Sequence, residues 1–497
     1  MSGRSVLLTT DGTYPCYRGG VSVWCDQLIR QLPTTSFHLF AITHSPSAAS
    51  VVQLPSNVVS QQFLPLWGTA EPGPAAGSLL SCLIRRLQTT PEKISSEFLP
   101  PFESLLNCIM ADSSARRPEE LAESFDALHR YFREYDYSRS ISSPQAWNSF
   151  LRVCRDRPEA FTLEEATKCM RWLQRYLAVS AVTFPETDIV HASMAGLAGV
   201  PGVIQKLNRD TGFILTEHGI YLRELYLSLG RMKESVNCRR FLFSWYEALV
   251  RMNYHYADSI TSLCEFNRHW QIQMGGASNR IEIVPNGVDS KVFHSVDKPV
   301  PAPAPTVLTM ARIYRLKGID HLIRAIAIVA PQAPQVRWRV LGEVGDREYY
   351  HYCLKLAEEL GIADKIEWGQ TTDPASAYQA ADVLCLPSIS EAMPYSILEA
   401  MFSGCPVVAT DVGGVAEMLG NTGLVVPPRN PSQMAKALLS LLAGDGADGY
   451  RRELSSRALE RARSRYELTK CSERFQLIYD RTSRSVAPAD LLAAGPG

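Results

Sequence analysis

The chain has 497 residues, about three times the size of a typical domain, which excludes a small stapled scaffold and leaves room for two or three cores. Lys plus Arg number 50 and Asp plus Glu 51, a formal net charge of −1, so no global basic field recruits nucleic acid or an anionic membrane. Hydrophobic residues make up 46% and charged ones 20%, the balance of a soluble globular protein. No run approaches the ~18 apolar residues that a membrane-spanning helix needs. The N-terminus enters a strand-like run within five residues, leaving no room for a signal sequence, and the protein is expected not to be secreted. The 12 Cys are scattered, several of them (Cys264, Cys353, Cys385, Cys405) inside apolar runs, which predicts reduced thiols in a cytoplasmic compartment.

In chain order, residues 6–10 read as a short strand, 11–20 as a Gly-rich turn, and Val21, Trp24, Leu28, Ile29 and Leu32 as one face of a helix. Further strands are predicted at 37–43, 188–191, 212–216, 259–264 and 280–284, so residues 1–295 hold one α/β domain. Between about 68 and 185 the pattern turns helical, with Leu79, Leu80, Leu83, Leu87 and then Leu163, Ala166, Met170, Leu173, Leu177, and no convincing strand; this is read as a helical insertion. Four prolines within 297–305 mark a linker. Strands at 306–311, 336–341, 365–368, 382–387, 406–410 and 423–426 alternate with helical segments, giving a second α/β domain over 306–466. A helix over 467–482 is expected to pack back towards the first domain, before a loose tail at 483–497. Phe241, Phe243, Trp245, Tyr246 and Tyr254 fall at helical spacing and are read as core.

Parallel sheets of this kind bind ligands at the carboxyl ends of their strands, and several polar residues cluster there. The tightest cluster is Ser388-Ile-Ser-Glu391-Ala-Met-Pro394-Tyr395-Ser396-Ile-Leu-Glu399, with one carboxylate in the loop before a helix and one inside it. Backbone N–H groups near Tyr395 and Ser396 would suit an anion such as a diphosphate. Two carboxylates repel phosphate unless they accept bonds from hydroxyl groups, so a ligand carrying both phosphates and sugar hydroxyls reconciles them. Arg312 and Lys317 follow the first strand of the second domain and could neutralise a diphosphate. In the first domain Gly19 and Gly20 open a helix with little side chain to obstruct a ligand, and His218 sits at a strand end. His191 is read as structural. Phosphate-loop, zinc-helix and nucleophile-elbow motifs are absent, as is any Asp-x-Asp, so no metal is expected.

Taken together, Glu391-x7-Glu399, Arg312 with Lys317, Val284-Pro-Asn286-Gly-Val-Asp289 and Gly19-Gly20 resemble the family 4 retaining glycosyltransferases of GT-B fold, in which two Rossmann-like domains face a cleft. More narrowly, the stretches beginning at Asp11, Thr216 and Ser388 resemble the glycosyltransferases of Pel-type exopolysaccharide biosynthesis. That resemblance implies roles for the matched positions. Arg312 and Lys317 would hold the donor diphosphate, Glu399 the ribose hydroxyls, Glu391 the hydroxyls of the donor sugar, and Gly19 and Gly20 the phosphates. His218 would stand beside the reacting centre, making His218, Glu391, Arg312 and Lys317 the catalytic set. Many relatives carry Gly after the first glutamate, where this chain has Ala392.

The function so implied is a cytoplasmic, nucleotide-sugar-dependent retaining hexosyltransferase, moving glucose from UDP-glucose to a carbohydrate acceptor in exopolysaccharide biosynthesis. It needs no cofactor and no metal. A membrane-bound polysaccharide synthase complex, met peripherally at the inner face of the membrane, is the expected partner; nucleic acid is not. A non-catalytic nucleotide-sugar-binding subunit, an epimerase and a sugar phosphorylase stay open as alternatives.

Overall fold

The computed structural model describes residues 3–69, 79–155, 161–230, 232–296 and 304–485. The chain divides into two compact units, one built from the residues up to Ser262, Arg268–Glu282 and the chain from Phe475 onward, the other from Leu263–Asn267 and Ile283–Arg474.

The first unit is built on a seven-stranded sheet of β1 (Ser5–Asp11), β2 (Ser36–Thr43), β3 (Val58–Pro65), β4 (Ile189–Ala192), β5 (Gly212–Glu217), β6 (Ser259–Ser262) and β7 (Ile281–Ile283). Its order is β3-β2-β1-β4-β5-β6-β7, and every pair from β3 to β6 is parallel. Strand order reverses between β1 and β4, the switch point at which an α/β sheet opens a crevice at its carboxyl edge. β3 is a strand that the sequence pattern does not announce. Its middle, Ser60, Gln61 and Gln62, is polar and mostly exposed, because as the outermost strand it is covered incompletely.

The stretch read as an insertion holds helices and no strand among its described residues, from the helix Leu79–Gln88 to the helix Leu163–Tyr176 and the turn of 3₁₀ helix after it. Its side chains are not a separate core. Phe98, Phe102, Leu105, Phe125 and Leu173 join Leu7, Phe40, Val190 and Leu215 of the sheet in one hydrophobic cluster. The helix Val236–Tyr256 belongs to the same cluster through Phe241, Trp245, Tyr246 and Tyr254, while Phe243 packs against it partly buried. One part of the helical pattern faces the other way: Leu80, Leu83 and Leu87 are 67%, 54% and 69% exposed.

The second unit holds β8 (Thr306–Met310), β9 (Arg337–Leu341), β10 (Ile366–Gly369), β11 (Val383–Leu386), β12 (Val407–Thr410) and β13 (Leu424–Val426), all parallel, in the order β10-β9-β8-β11-β12-β13. Successive side chains of a strand point to opposite faces. Val307, Val383, Cys385 and Val408 therefore enter one hydrophobic cluster and Leu308, Leu384, Leu386 and Val407 the other. Helices cover both faces, and the central strands β8, β11 and β12 read as apolar runs, whereas β9 and β10 carry Arg337, Arg339 and Glu367. Of the predicted linker, residues 297–303 lie outside the described residues. Residues 483–485, expected to begin the loose tail, continue the last helix, Leu468–Ser485; residues 486–497 lie outside the described residues.

Candidate active site

In the second unit the switch point lies between β8 and β11, and the loops leaving these two strands carry the predicted side chains. The β8 loop holds Arg312 and ends in a short 3₁₀ turn, Arg315–Lys317; the β11 loop holds Ser388 to Ala392. Backbone bonds lace the two loops together, since Ile389 N–H donates to the Leu316 carbonyl at 2.7 Å. Gly318, at φ +62°, lies so close to the end of β11 that a Cβ there would sit 2.2 Å from the Pro387 carbonyl oxygen.

That lacing brings Lys317 and Glu391 together. Lys317 Nζ lies 2.5 Å from Glu391 Oε1, and Ser388 Oγ donates to the same oxygen at 2.6 Å. Their side chains are only 17% and 9% exposed, so this is not one of the solvated surface pairs that contribute almost nothing. Ser388 is held in turn, its carbonyl accepting from Thr410 Oγ1 at 2.5 Å. The loop after β12 braces the other side. Gly413, at φ +59°, presses so near that a Cβ would stand 2.0 Å from the Glu391 carbonyl oxygen, and Gly414 N–H donates to the Ala392 carbonyl at 2.8 Å.

Arg312 is exposed and follows the chain past Gly345, where a Cβ would lie 2.6 Å from its Nε. The loop after β9 is paired to the β8 loop through Ile313 and Val344, so a side chain at 345 would displace the guanidinium. Tyr395 and Ser396 occupy the first two positions of the helix Tyr395–Phe402. Pro394 stands one place outside it, at the N-cap, and no side chain caps that end. One turn further on, Glu399 Oε2 accepts from the hydroxyl of Tyr378 at 2.7 Å, and burial pushes its carboxyl up to about 7. Near neutral pH Glu399 thus exchanges between an acceptor-only carboxylate and a protonated form.

The first unit holds the remaining predicted residues. Gly19 is the extended N-cap residue of the helix Gly20–Gln31, exposed, with nothing within 4 Å of a Cβ built on it. The same helix buries Trp24, whose ring stands edge-on to His218 at 4.6 Å between centroids. His218 follows β5; burial brings its imidazole down to about 3, and its Nε2 is shielded from water without a hydrogen-bond partner. The result is a neutral ring with one buried, unpartnered nitrogen. His191, by contrast, is satisfied on both sides, at 2.8 Å from the Tyr479 hydroxyl and 2.7 Å from Thr216 Oγ1, in keeping with a structural part.

Sequence reading misses four members of these clusters. Tyr378 lies 21 positions before its partner Glu399, with no local spacing to connect them. Gly413-Gly414 are visible as a pair, but their pressure on Glu391 is a tertiary contact. Asp11, at the end of β1, has its carboxyl raised by burial to about 6 and lies close enough to raise the hydroxyls of Tyr176, Tyr221 and Tyr246. Its position at a switch-point strand end is the signal that could have found it.

Comparison with known proteins places both units. Residues 4–279 match the family described as "Domain of unknown function (DUF3492)", and residues 304–444 match "Glycosyl transferases group 1". The chain is similar to the D-inositol 3-phosphate glycosyltransferase of Corynebacterium urealyticum, 37% identical over 155 residues, 29% of this chain and 37% of that protein. The Corynebacterium diphtheriae protein of the same name is 32% identical over 206 residues, 39% of this chain and 47% of its own. The chain thus spans less than half the length of these two curated relatives. Among solved structures, sucrose-phosphate synthase from Thermosynechococcus elongatus aligns with a TM-score of 0.61 at 17% identity, covering 97% of this chain and 100% of that one. Anabaena HepE in complex with UDP and glucose aligns at 0.60 and 16% identity, over 96% and 99%. These likenesses identify the fold as GT-B, with two Rossmann-like domains. With its match running over more than half of the 497 residues, the chain belongs to the DUF3492 family, and its second unit is a glycosyltransferase domain of group 1.

Proposed function

We propose that the chain is a retaining hexosyltransferase that moves glucose from UDP-glucose to a carbohydrate acceptor in exopolysaccharide biosynthesis, without a metal ion, in company with a membrane-bound synthase complex. The observation that carries the reading is the Lys317–Glu391 pair at the β8/β11 switch point, 2.5 Å apart and nearly closed to water. A cation and a hydroxyl acceptor held together suit a ligand that presents phosphate and sugar hydroxyl groups side by side. The solved HepE complex with UDP and glucose and the curated D-inositol 3-phosphate glycosyltransferases support it by likeness.

In this mechanism Arg312 and Lys317 take up the charge that develops on the departing diphosphate, aided by the N-terminus of the helix Tyr395–Phe402. Removing one such contact typically costs ~10²–10³ in rate. The bond from the anomeric carbon to the diphosphate oxygen breaks, and the acceptor hydroxyl forms the new bond on the same face, its proton passing to the leaving diphosphate. Glu391 orients the sugar by its hydroxyls, Glu399 holds the ribose, Gly19 and Gly20 serve the phosphates, and neutral His218 completes the catalytic set. Base selection falls to the backbone around Gly369, Gln370 and Thr371, at the carboxyl end of β10.

The test is calorimetry with UDP, GDP and ADP, followed by turnover of UDP-glucose with and without EDTA and determination of the product's anomeric configuration. UDP preference, chelator-resistant turnover and a retained configuration are expected. Preference for GDP or ADP would remove the donor assignment, and loss of activity in EDTA with rescue by a divalent ion would overturn the metal-free course. Donor binding without turnover on any acceptor would point to the non-catalytic subunit instead.

A further inference from the structure

The helix Leu79–Gln88 is amphipathic in the wrong sense for a globular protein. Leu80, Leu83, Ile84 and Leu87, at positions i, i+3, i+4 and i+7, form one face, and they are 67%, 54%, 45% and 69% exposed. Ser81, Cys82 and Arg85, on the opposite side, are the half-buried ones. Single exposed leucines are ordinary, but four contiguous large aliphatic side chains on one helical face mark an interaction surface.

The helix is firmly aimed. Its last turn is tied down by Thr89, whose Oγ1 donates to the Arg85 carbonyl at 2.7 Å and accepts from Asp136 N–H at 2.8 Å. Arg139, an exposed residue of the helix Tyr137–Ile141, donates to the Arg86 carbonyl at 3.1 Å. The outward stripe is therefore presented by the same element whose carboxyl end is fixed to the helical part of the first unit.

Charge decides between occupants. The ten residues Leu-Leu-Ser-Cys-Leu-Ile-Arg-Arg-Leu-Gln contain no acid; exposed Arg86 borders the stripe, half-buried Arg85 stands behind it, and Arg139 lies beside the last turn. Asp136 in the adjoining turn is engaged as a helix cap, accepting from Arg139 N–H at 2.7 Å. A purely apolar protein groove would take the leucines but offer no anion to the arginines beside them. A lipid surface with anionic headgroups meets both needs at one depth, apolar side chains entering the acyl boundary and arginines staying at the headgroups. The whole chain has a net charge of only −1, so any attraction to such a surface must come from a local patch such as this one. Among the described residues no helix is long and apolar enough to cross a membrane.

We propose that the helix Leu79–Gln88 docks the protein on an anionic lipid surface through Leu80, Leu83, Ile84 and Leu87, with Arg86 and Arg139 on the headgroups. The proposal stands on this helix alone and is independent of the donor site.

Co-sedimentation of the full chain with vesicles tests it, using phosphatidylcholine alone and phosphatidylcholine containing phosphatidylglycerol, at low and high salt. The wild type is expected to bind the phosphatidylglycerol vesicles, less so at high salt. A Leu83→Glu/Leu87→Glu variant should partition about tenfold more weakly or worse, and Arg86→Glu should lose the preference for anionic vesicles. Thermal unfolding and UDP binding of both variants should match the wild type, because the altered side chains are exposed and remote from Lys317 in sequence. A wild type that ignores both vesicle types, or a Leu83→Glu/Leu87→Glu variant that binds them equally well, would overturn the proposal. In either case the stripe would be left to an acidic-rimmed protein groove.

Discussion

Lys317 and Glu391 each make the other's burial tolerable. A carboxylate 9% exposed and an ammonium 17% exposed would each be costly alone, so removing one leaves the other uncompensated. Lys317→Ala is therefore expected to weaken UDP binding by more than the ~1.5–3 kcal/mol of one charge-assisted hydrogen bond, since Glu391 would then face the diphosphate unneutralised. Arg312→Ala, at an exposed position, should cost less than that. Adding Glu391→Gln to Lys317→Ala should restore part of the affinity; a double-mutant cycle by calorimetry that came out additive would dissolve the pairing argument. Glu399 makes a second prediction. Its folded-state carboxyl titrates near 7 instead of 4.5, so the acceptor-only form is lost as the pH falls through about 7. If that form holds the ribose hydroxyls, UDP affinity rises between about pH 6 and 8, and Glu399→Gln flattens the curve while lowering its upper end. An unchanged slope in the variant would move the ribose contact elsewhere.

At the scale of the element, the position of Glu391 is set by the loop after β12. Gly413 combines φ +59° with a Cβ position 2.0 Å from the Glu391 carbonyl oxygen, so Gly413→Ala must both strain its own backbone and push the β11 loop aside. Gly361 has a similar φ of +65° with nothing near its Cβ position, which makes Gly361→Ala the control for backbone strain alone, about 1–2 kcal/mol. A larger stability loss and a much larger loss of turnover are expected in Gly413→Ala; equal turnover would show that the loop does not position Glu391. The same loops show what the chain's pattern could reveal. Strands β8, β11 and β12, at the centre of the second sheet, announce themselves as buried apolar runs, and Arg312, Lys317, Glu391 and Glu399 follow from strand ends and a helix start. β3 escapes notice because its middle is Ser60, Gln61 and Gln62, the chemistry of an outermost strand. Tyr378 and Gly413 escape notice because what gives them meaning is a contact with Glu399 or Glu391 across the fold, which no local periodicity encodes. Leu80, Leu83 and Leu87 mislead in the opposite direction, since periodicity reports that a face exists but not whether it faces inward.

At the scale of the molecule, the helical stretch after β3 reads in sequence as an addition to a Rossmann-like domain, yet its packing makes it part of that domain's interior. Phe98, Phe102, Leu105, Leu106, Ile109, Phe125, Leu128, Ile141 and Phe150 are all 0% exposed and share one cluster with Leu7, Phe40 and Val190 of the sheet. Fully burying a side chain of this size contributes ~1.5–3 kcal/mol, and a domain's net stability is about 5–15 kcal/mol, so these nine alone rival the whole margin. The buried pair Arg116 and Glu247 adds a polar tie between this stretch and the helix Val236–Tyr256. Replacing the helical stretch by a short linker is therefore expected to unfold the first unit, seen as loss of near-ultraviolet circular dichroism and binding of a hydrophobic dye, and not merely to abolish contact with a partner. Substitutions confined to its exposed residues, such as Leu83→Glu, should leave the thermal midpoint within a few degrees of wild type. A shortened chain whose first unit kept its cooperative unfolding would mean that the sheet closes its core without these helices, and the stretch would then be an independent module.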